Sequence, residues 1–408
     1  MKILFLTQWF DPEPGSKGLA FARALVHRGH EVEVLTGFPN YPGGRLYPGY
    51  RLKLRQRELM EGIPVVRVPL YPSHDGSVIK RVANYMSFAL AAATVGVYSV
   101  QRPDVAYVYH PPATIAFPAI VLKAIRGVPF VLDIMDLWPD TLAATGMVAS
   151  QSVLRAVARG CRLAYRSAAR IAVVTPGFKR ALIDRGVPAE KIDVIYNWGH
   201  ESAITQAPSD APILREAGVE GRFNVVFAGT MGRAQALSSV LHAARIVAAQ
   251  APRVQFVFVG GGIEVARLKA EATVMALPNV RFLPVRPAVE VEPLLAAADV
   301  LLVHLRDDPL FSITIPSKTQ AYMAAGRPVL MAVRGDAAAL VAGAEAGVCV
   351  NPEDPDALAT AVCDLSCVAP ASLAGMGARG LAYYQKHLSL AAGVDAFEAL
   401  FRQAVQAA

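Results

Sequence analysis

Ile315-Pro316-Ser317-Lys318-Thr319-Gln320-Ala321-Tyr322-Met323-Ala324-Ala325-Gly326-Arg327-Pro328-Val329-Leu330 reads as a loop, a short helix and a buried strand in direct succession. Pro316 fits the first helical turn, where a missing N–H costs nothing, and Gly326 fits the position after the last turn. Lys318 then lies beside free backbone N–H groups and the positive end of the helix dipole, an arrangement suited to phosphate. An ordinary helix-to-strand connection with a solvated lysine has the same pattern, and the local sequence leaves both readings open. Working outward, short β-branched runs alternate with alanine-rich stretches of helical period. Strands are expected near residues 2–7, 31–36, 63–68, 105–109, 129–134, 171–175 and 192–196. A second series follows near 223–228, 254–259, 279–283, 299–305, 328–333 and 347–350. This is the pattern of βαβ units and parallel sheets.

A chain of 408 residues exceeds the roughly 250–300 residues of a single core, so two domains are expected. The segment from Glu201 to Gly221, polar and carrying Pro208, Pro212 and Gly218, reads as the linker. Apolar residues make up 54% of the chain and mean hydropathy is +0.36, rich enough that some apolar surface is expected to stay exposed. A net charge of +7 and a pI near 9.2 favour anionic partners. Nucleic acid is the weakest of these, for lack of a Lys/Arg run with interleaved aromatics. The four cysteines, Cys161, Cys349, Cys363 and Cys367, form no disulfide framework, and Cys363 and Cys367 lack the partners of a zinc site. Lys2 leads straight into a strand with Asp11 and Glu13 close behind, so no secretory leader is expected.

The opening stretch resembles the P-S-K-x-x-x-Y-M-A-x-G-x-P signature of family 4 nucleotide-sugar glycosyltransferases. Other matches follow in order along nearly the whole chain: Pro12-Glu13-Pro14-Gly15-Ser16-Lys17-Gly18 after the first strand, Pro39-Asn40-Tyr41-Pro42, Asp136-Leu137-Trp138-Pro139-Asp140, and Gly229-Thr230-Met231-Gly232-Arg233-Ala234-Gln235. They are similar to the branch that builds bacterial O-antigens and capsules, which includes N-acetyl-L-fucosamine transferases. The resemblance implies the α/β GT-B fold of two facing Rossmann-like domains: residues 1–200 binding acceptor, 201–222 as linker, 223–385 binding the nucleotide sugar, and 386–408 as a helix crossing back to the first domain.

Ligands of open α/β sheets sit at strand carboxyl ends. Gly15 and Gly18, with Ser16 and Lys17 between them, could form an acceptor or phosphate loop or serve only as turn residues. Their spacing is not G-x-G-x-x-G, which argues against a nicotinamide enzyme. In the second half, Arg233 follows the strand ending near Gly229 and can hold diphosphate oxygens with its forked guanidinium, or lie in solvent. With Lys318 it would neutralise the leaving nucleoside diphosphate without a metal. By resemblance the donor is held by Gly229, Arg233, Gln235, Thr314, Ser317, Lys318 and Gln320. Most of the family carries two glutamates where this chain has Ile313 and Ala321, and Gln320 is the nearest residue able to replace the second. Asn197-Trp198-Gly199-His200 resembles the family's hinge motif, with His200 in place of its acid.

His110 ends one strand as either a satisfied structural group or a direct participant, and Asp136, after the next strand, as either an acceptor contact and base or a helix cap. The stretch from Val82 to Val100 is nearly uncharged, is flanked by Lys80, Arg81 and Arg102, and has no acid between Asp75 and Asp104. It approaches the roughly 20 residues of a membrane span, but Asn84, Ser87 and Gly96 favour a helix that covers the sheet and meets lipid headgroups at its edge. The expected activity is retaining transfer of a sugar, N-acetylated and from a UDP donor, to a polyprenyl-diphosphate-linked saccharide at the cytoplasmic membrane face, with no cofactor or metal. A sugar-nucleotide epimerase of the same fold, or a noncatalytic nucleotide-binding partner, are the alternatives.

Overall fold

A computed structural model describes residues 1–407 apart from 16, 74–76, 145–147, 149, 200–214, 216, 217 and 219. The chain divides into two compact units, Met1–Tyr196 with Gly393–Ala408, and Asn197–Ala392. Most of the expected linker, with His200, lies outside the described residues.

The first unit holds β1 (Lys2–Thr7), β2 (Glu31–Gly37), β3 (Gln56–Met60), β4 (Ile63–Val68), β5 (Val105–His110), β6 (Phe130–Ile134), β7 (Arg170–Val173) and β8 (Ile192–Val194). They form one sheet in the order β3-β4-β2-β1-β5-β6-β7-β8. Every pairing is parallel except β3 with β4. Strands such as β5 are buried along their whole length, as expected where helices cover both faces of a parallel sheet. Helices α1 (Leu19–His27), α2 (Val78–Ala91) and α3 (Ala116–Arg126) belong to this unit. Phe5, Phe21 and Tyr107 meet edge to face in its core.

The antiparallel strand β3 has no counterpart in the expected strand list. Its sequence, Gln-Arg-Glu-Leu-Met, lacks a buried apolar run because it is an edge strand, and charged edges of this kind resist pairing with other chains. The hairpin turn into β4 is made by Glu61 at φ 48° and Gly62 at φ 83°, two left-handed residues between Met60 and Ile63, as a two-residue hairpin demands.

The second unit holds β9 (Phe223–Ala228), β10 (Val254–Val259), β11 (Val280–Leu283), β12 (Val300–His304), β13 (Val329–Ala332) and β14 (Gly347–Cys349), in the order β11-β10-β9-β12-β13-β14, all parallel. Helix α4 (Leu237–Gln250) buries Val240, Leu241, Ala244 and Val247 against Val225, Phe227 and Phe256 of the sheet. Each fully buried large apolar side chain there contributes roughly 1.5–3 kcal/mol. Helix α5 (Ser317–Ala324) follows the loop after β12. Pro316 stands one place before it, at the cap position, and not inside the first turn as expected.

The last helix, α6 (Leu390–Gln406), is preceded by a π-type turn over Tyr384–Leu388. Its residues from Gly393 onward belong to the first unit. Phe397 packs on Phe21 and Tyr107 there, and Asp395 pairs with Arg28 at 2.6 Å.

In each sheet the chain reverses its direction of growth beside the first strand, between β1 and β5 and between β9 and β12. Ligands of open α/β sheets bind outside the strand carboxyl ends at such points. The loops found there are those after Thr7 and His110 in the first unit and after Ala228 and His304 in the second.

Candidate functional site

In the second unit, Tyr322 of α5 fixes the end of β9. Its hydroxyl accepts the Ala228 N–H at 2.8 Å and donates to the Ala228 carbonyl at 3.2 Å, and burial raises its pKa so that it stays a neutral phenol. Lys318 lies one helical turn before Tyr322, hence on the same face of α5, and is carried to the same strand end. Its Nζ sits 3.4 Å from the centroid of the Phe227 ring. A side chain at Gly229 would begin 3.5 Å from that Nζ. The ammonium is buried and has no hydrogen-bond partner among the described residues, so the ring face is its compensation. Loss of solvation pulls its pKa from 10.5 down to about 7. A buried cation at a helix start, with the neighbouring Thr319 hydroxyl also unsatisfied among the described residues, has the chemistry to take an anionic oxygen.

The surrounding loops are tied together by backbone contacts that only glycine permits. Gly229 and Met231 donate to the carbonyls of Val259 and Gly261, at 2.8 and 2.7 Å. Gly260, at φ 133°, could not carry a side chain: a Cβ there would lie 2.2 Å from the Gly229 oxygen. Gly260→Ala is therefore expected to destabilise the second unit by about 1–3 kcal/mol in urea unfolding, and unchanged stability would show that the loop yields. His304, at the end of β12 and 1% exposed, links two further loops. Its Nδ1 is 2.7 Å from the Gln235 carbonyl, and its Nε2 accepts the Glu353 N–H at 3.3 Å. These contacts specify a neutral ring, consistent with burial, the largest influence, lowering its pKa.

The other expected donor residues are placed unevenly. Arg233 opens a short 3-10 turn over Arg233–Gln235 before α4; its side chain is 83% exposed and lies 4.0 Å from Glu264. Gln235 is committed to the loop itself, accepting the Gly232 N–H at 2.9 Å. Thr314 closes a turn onto the Phe311 carbonyl at 3.1 Å. Ser317 is exposed at the first position of α5. Gln320 is 2% exposed, and its amide nitrogen, assigned from the hydrogen-bond pattern, donates to the carbonyls of Pro316 and Ser317 at 3.0 and 3.1 Å. It braces its own helix start. Gly199 of the hinge motif lies against α5, with its Cβ position 3.4 Å from the Tyr384 hydroxyl and 3.8 Å from the Ala321 nitrogen.

In the first unit two expectations need correction. Lys17 is not a ligand-binding lysine: it is 1% exposed, pairs with Asp133 at 2.6 Å and stands 4.8 Å over the Phe397 ring. Tyr107 donates to the same carboxylate oxygen at 2.6 Å. Burial lowers the Lys17 pKa while Asp133 pulls it back up. Gly18 does not open a phosphate cradle either. The Asp11 carboxylate already caps α1 there, accepting the Leu19 N–H at 2.7 Å, and a Cβ on Gly18 would lie 2.3 Å from that oxygen. A carboxylate at the helix start repels phosphate. Gly15 is exposed with open space around it, and Ser16 lies outside the described residues.

His110 and Asp136 come from the adjacent strand ends of β5 and β6. His110 is buried, packs edge-on against Trp138 at 5.9 Å between centroids, and has its pKa lowered to about 4 by desolvation; it is neutral at physiological pH. The Asp136 carboxylate accepts no hydrogen bond among the described residues, so it is not a helix cap, and partial burial raises its pKa. Sequence reasoning missed the rings around this pair. Trp9 stacks on Tyr41 at 4.8 Å, and Tyr85 bridges Trp9 and Trp138 at 6.2 and 6.3 Å. It also missed Glu13, which holds the Asn40-Tyr41 turn by accepting both N–H groups at 2.7 Å and whose pKa burial pushes up to about 7.

Residues 19–198 match the family described as Glycosyl transferase 4-like domain, and residues 222–367 that described as Glycosyl transferases group 1. The chain belongs to the glycosyltransferases. This glycosyltransferase is 26% identical over 378 residues to a protein of Escherichia coli strain K12 named as a colanic acid biosynthesis glycosyl transferase, WcaI, covering 89% of this chain and 91% of that one. It is 28% identical over 295 residues to WbjE of Pseudomonas aeruginosa, named as a glycosyltransferase, covering 71% and 73%. Among solved structures it resembles Anabaena HepE in complex with UDP and glucose, with a TM-score of 0.69 at 20% identity over 98% of this chain and 99% of that one. It also resembles a sucrose-phosphate synthase from Thermosynechococcus elongatus, with a TM-score of 0.70 at 18% identity over the full length of both. The glycosyltransferase has the GT-B fold.

Proposed function

We propose that this glycosyltransferase moves a sugar, N-acetylated and carried on UDP, with retention of configuration to a polyprenyl-diphosphate-linked saccharide during bacterial surface-polysaccharide synthesis. The observation that carries the donor half is the buried, unpartnered Lys318 ammonium at the end of β9 beside Gly229. A diphosphate there would receive the full charge of Lys318 and the N–H groups at the start of α5, where they stabilise charge that grows on the leaving group. UDP as the nucleotide is supported by its presence in the HepE complex, and a polysaccharide product by the name of WcaI. The N-acetyl-L-fucosamine branch rests on the motif resemblance.

On the acceptor side, residues of the first unit would do the work. The rings of Trp9, Tyr41 and Trp138 offer faces for sugar stacking, Asp136 is free to orient or deprotonate a hydroxyl, and neutral His110 can hold a hydroxyl without competing for its proton. In the retaining reaction the departing phosphate takes the acceptor proton on the same face. A lipid-linked acceptor would draw the enzyme to the cytoplasmic face of the membrane as a peripheral protein.

The test is a calorimetric panel of UDP, ADP, GDP and UDP-N-acetylhexosamines, followed by transfer assays. UDP is expected to bind tightest and turnover to persist in EDTA, because Lys318 supplies the charge that a metal would supply. Loss of turnover in chelator, restored by magnesium or manganese, would overturn the leaving-group chemistry. Release of an epimerised nucleotide sugar without acceptor would replace transfer by epimerisation, and donor binding without any turnover would make the chain a noncatalytic partner.

A further inference from the structure

From Val78 to Ser99 the chain runs as helix α2, a π-type turn over Ala92–Gly96 and a last helical turn. Its inward residues Tyr85, Phe88, Ala92 and Val97 are buried. Its outward residues are also apolar: Ile79, Val82, Met86, Leu90 and Tyr98 are 82, 50, 55, 60 and 67% exposed. Their spacing keeps the first four on one stripe. Single exposed apolar side chains are ordinary, but an aligned row of this length is not.

A second feature adjoins the end of this row. In Arg51-Leu52-Lys53-Leu54-Arg55 every residue is exposed, with Leu54 at 71%, and none of the three cations makes an ion pair among the described residues. The following Arg57 donates to the Ser99 carbonyl, which joins this loop and strand β3 to the helical run beside Tyr98. Cations thus lie near the Tyr98 end of a helical run whose own sequence contains no acid from Gly76 to Pro103.

We propose that this face, the Ile79-Val82-Met86-Leu90 stripe with the Arg51-Lys53-Arg55 loop beside it, is where the protein docks on an anionic phospholipid surface. Peripheral binding needs two signals, apolar insertion and attraction to headgroups, and the exposed stripe and the exposed cationic loop, joined through Arg57 and Ser99, supply one each. A second copy of the chain would bring the same cations against themselves, so the charge pattern favours lipid over self-association. The proposal deepens the membrane location in the proposed function, and its test contains neither donor nor acceptor, so its failure would leave the sugar-transfer reading standing.

The experiment is sedimentation of the full chain with phosphatidylcholine vesicles, with and without phosphatidylglycerol, at low and high salt. Binding is expected only with phosphatidylglycerol and should weaken as salt rises. Arg51→Gln/Lys53→Gln/Arg55→Gln should lose about fivefold per cation removed, and Ile79→Ser/Met86→Ser should lose binding even at low salt, while both melt cooperatively like the parent. Absence of binding to anionic vesicles at low salt, or equal binding to neutral ones, would overturn the proposal. So would a dimer of the parent that Ile79→Ser/Met86→Ser dissolves, since the stripe would then belong to a second copy.

Discussion

Lys318→Ala lowers UDP affinity by about 10- to 150-fold, the equivalent of the roughly 1.5–3 kcal/mol of a hydrogen bond to a charged group. The pH dependence carries the sharper signature. In the free protein the ammonium titrates near pH 7, because burial lowers its pKa from 10.5. A bound diphosphate holds it protonated, so binding above pH 7 takes up a proton and affinity falls by up to about tenfold per pH unit. Calorimetry in buffers of different ionisation enthalpy reads that proton directly. For the free protein the sign is fixed by the lowered folded value: between about pH 7 and 10.5 the unfolded chain binds the extra proton, so stability rises across that window and the full cost of burying the charge is felt below it. Lys318→Met should therefore flatten that rise while it removes nucleotide affinity. Arg233→Ala, truncating a side chain that is 83% exposed, is expected to cost less than about fivefold, as exposed ion pairs do. Equal affinity for UDP in the parent and Lys318→Ala, with no proton uptake in either, would sink the assignment.

Much of this site could be read in the sequence because its signals are local. Pro316, Ser317 and Lys318 stand ahead of a short helical pattern that ends at Gly326, and that arrangement needs nothing distant to be recognised. What could not be read is why Lys318 matters energetically. Its burial comes from Phe227 on β9, brought against α5 through Tyr322, and no pattern along one segment reveals that pairing. The run Gly260-Gly261-Gly262 after an apolar strand was a usable signal for close backbone approach. The contact it permits, against Gly229 and Met231, is again long-range. Gln235 and Gln320 show the converse limit: a polar side chain in a ligand loop fits a substrate and the loop's own N–H and carbonyl groups equally well until its partners are known.

The fold was legible for a related reason. Strands buried on both faces give continuous apolar runs such as Val105–His110 and Val254–Val259, and these stand out without alternation. Strand β3 gives no such run because one of its edges and much of its surface meet solvent. The adjacent residues Glu61 and Gly62 carried the hairpin signal, though glutamate is an uncommon choice for a left-handed position.

The largest expected effect on stability lies in the buried pair of Lys17 and Asp133. A lysine between two glycines after the first strand looks like a ligand-binding lysine, yet its partner Asp133 is 116 positions away and both side chains are fully buried. Asp133→Ala would leave the Lys17 ammonium and the Tyr107 hydroxyl without their shared acceptor inside the core. Breaking a buried pair in this way costs about 3–5 kcal/mol, because an uncompensated charge remains. Lys17→Met should cost somewhat less, since Tyr107 still donates to Asp133 at 2.6 Å. The double variant Lys17→Met/Asp133→Leu should recover much of the loss, because it removes both charges together. Urea unfolding followed by tryptophan fluorescence in a Trp198→Phe background, which leaves Trp9 and Trp138 of the first unit, reads these differences, while UDP affinity measured below the transition should hardly change. A lysine that served an anionic ligand would give the opposite pattern, weakened binding with little loss of stability. If Asp133→Ala unfolds within about 0.5 kcal/mol of the parent, the pair does not hold the loop that carries Asp11 and Glu13 against the sheet. The placement of His110 and Asp136 would then have to come from the aromatic contacts of Trp9, Tyr85 and Trp138.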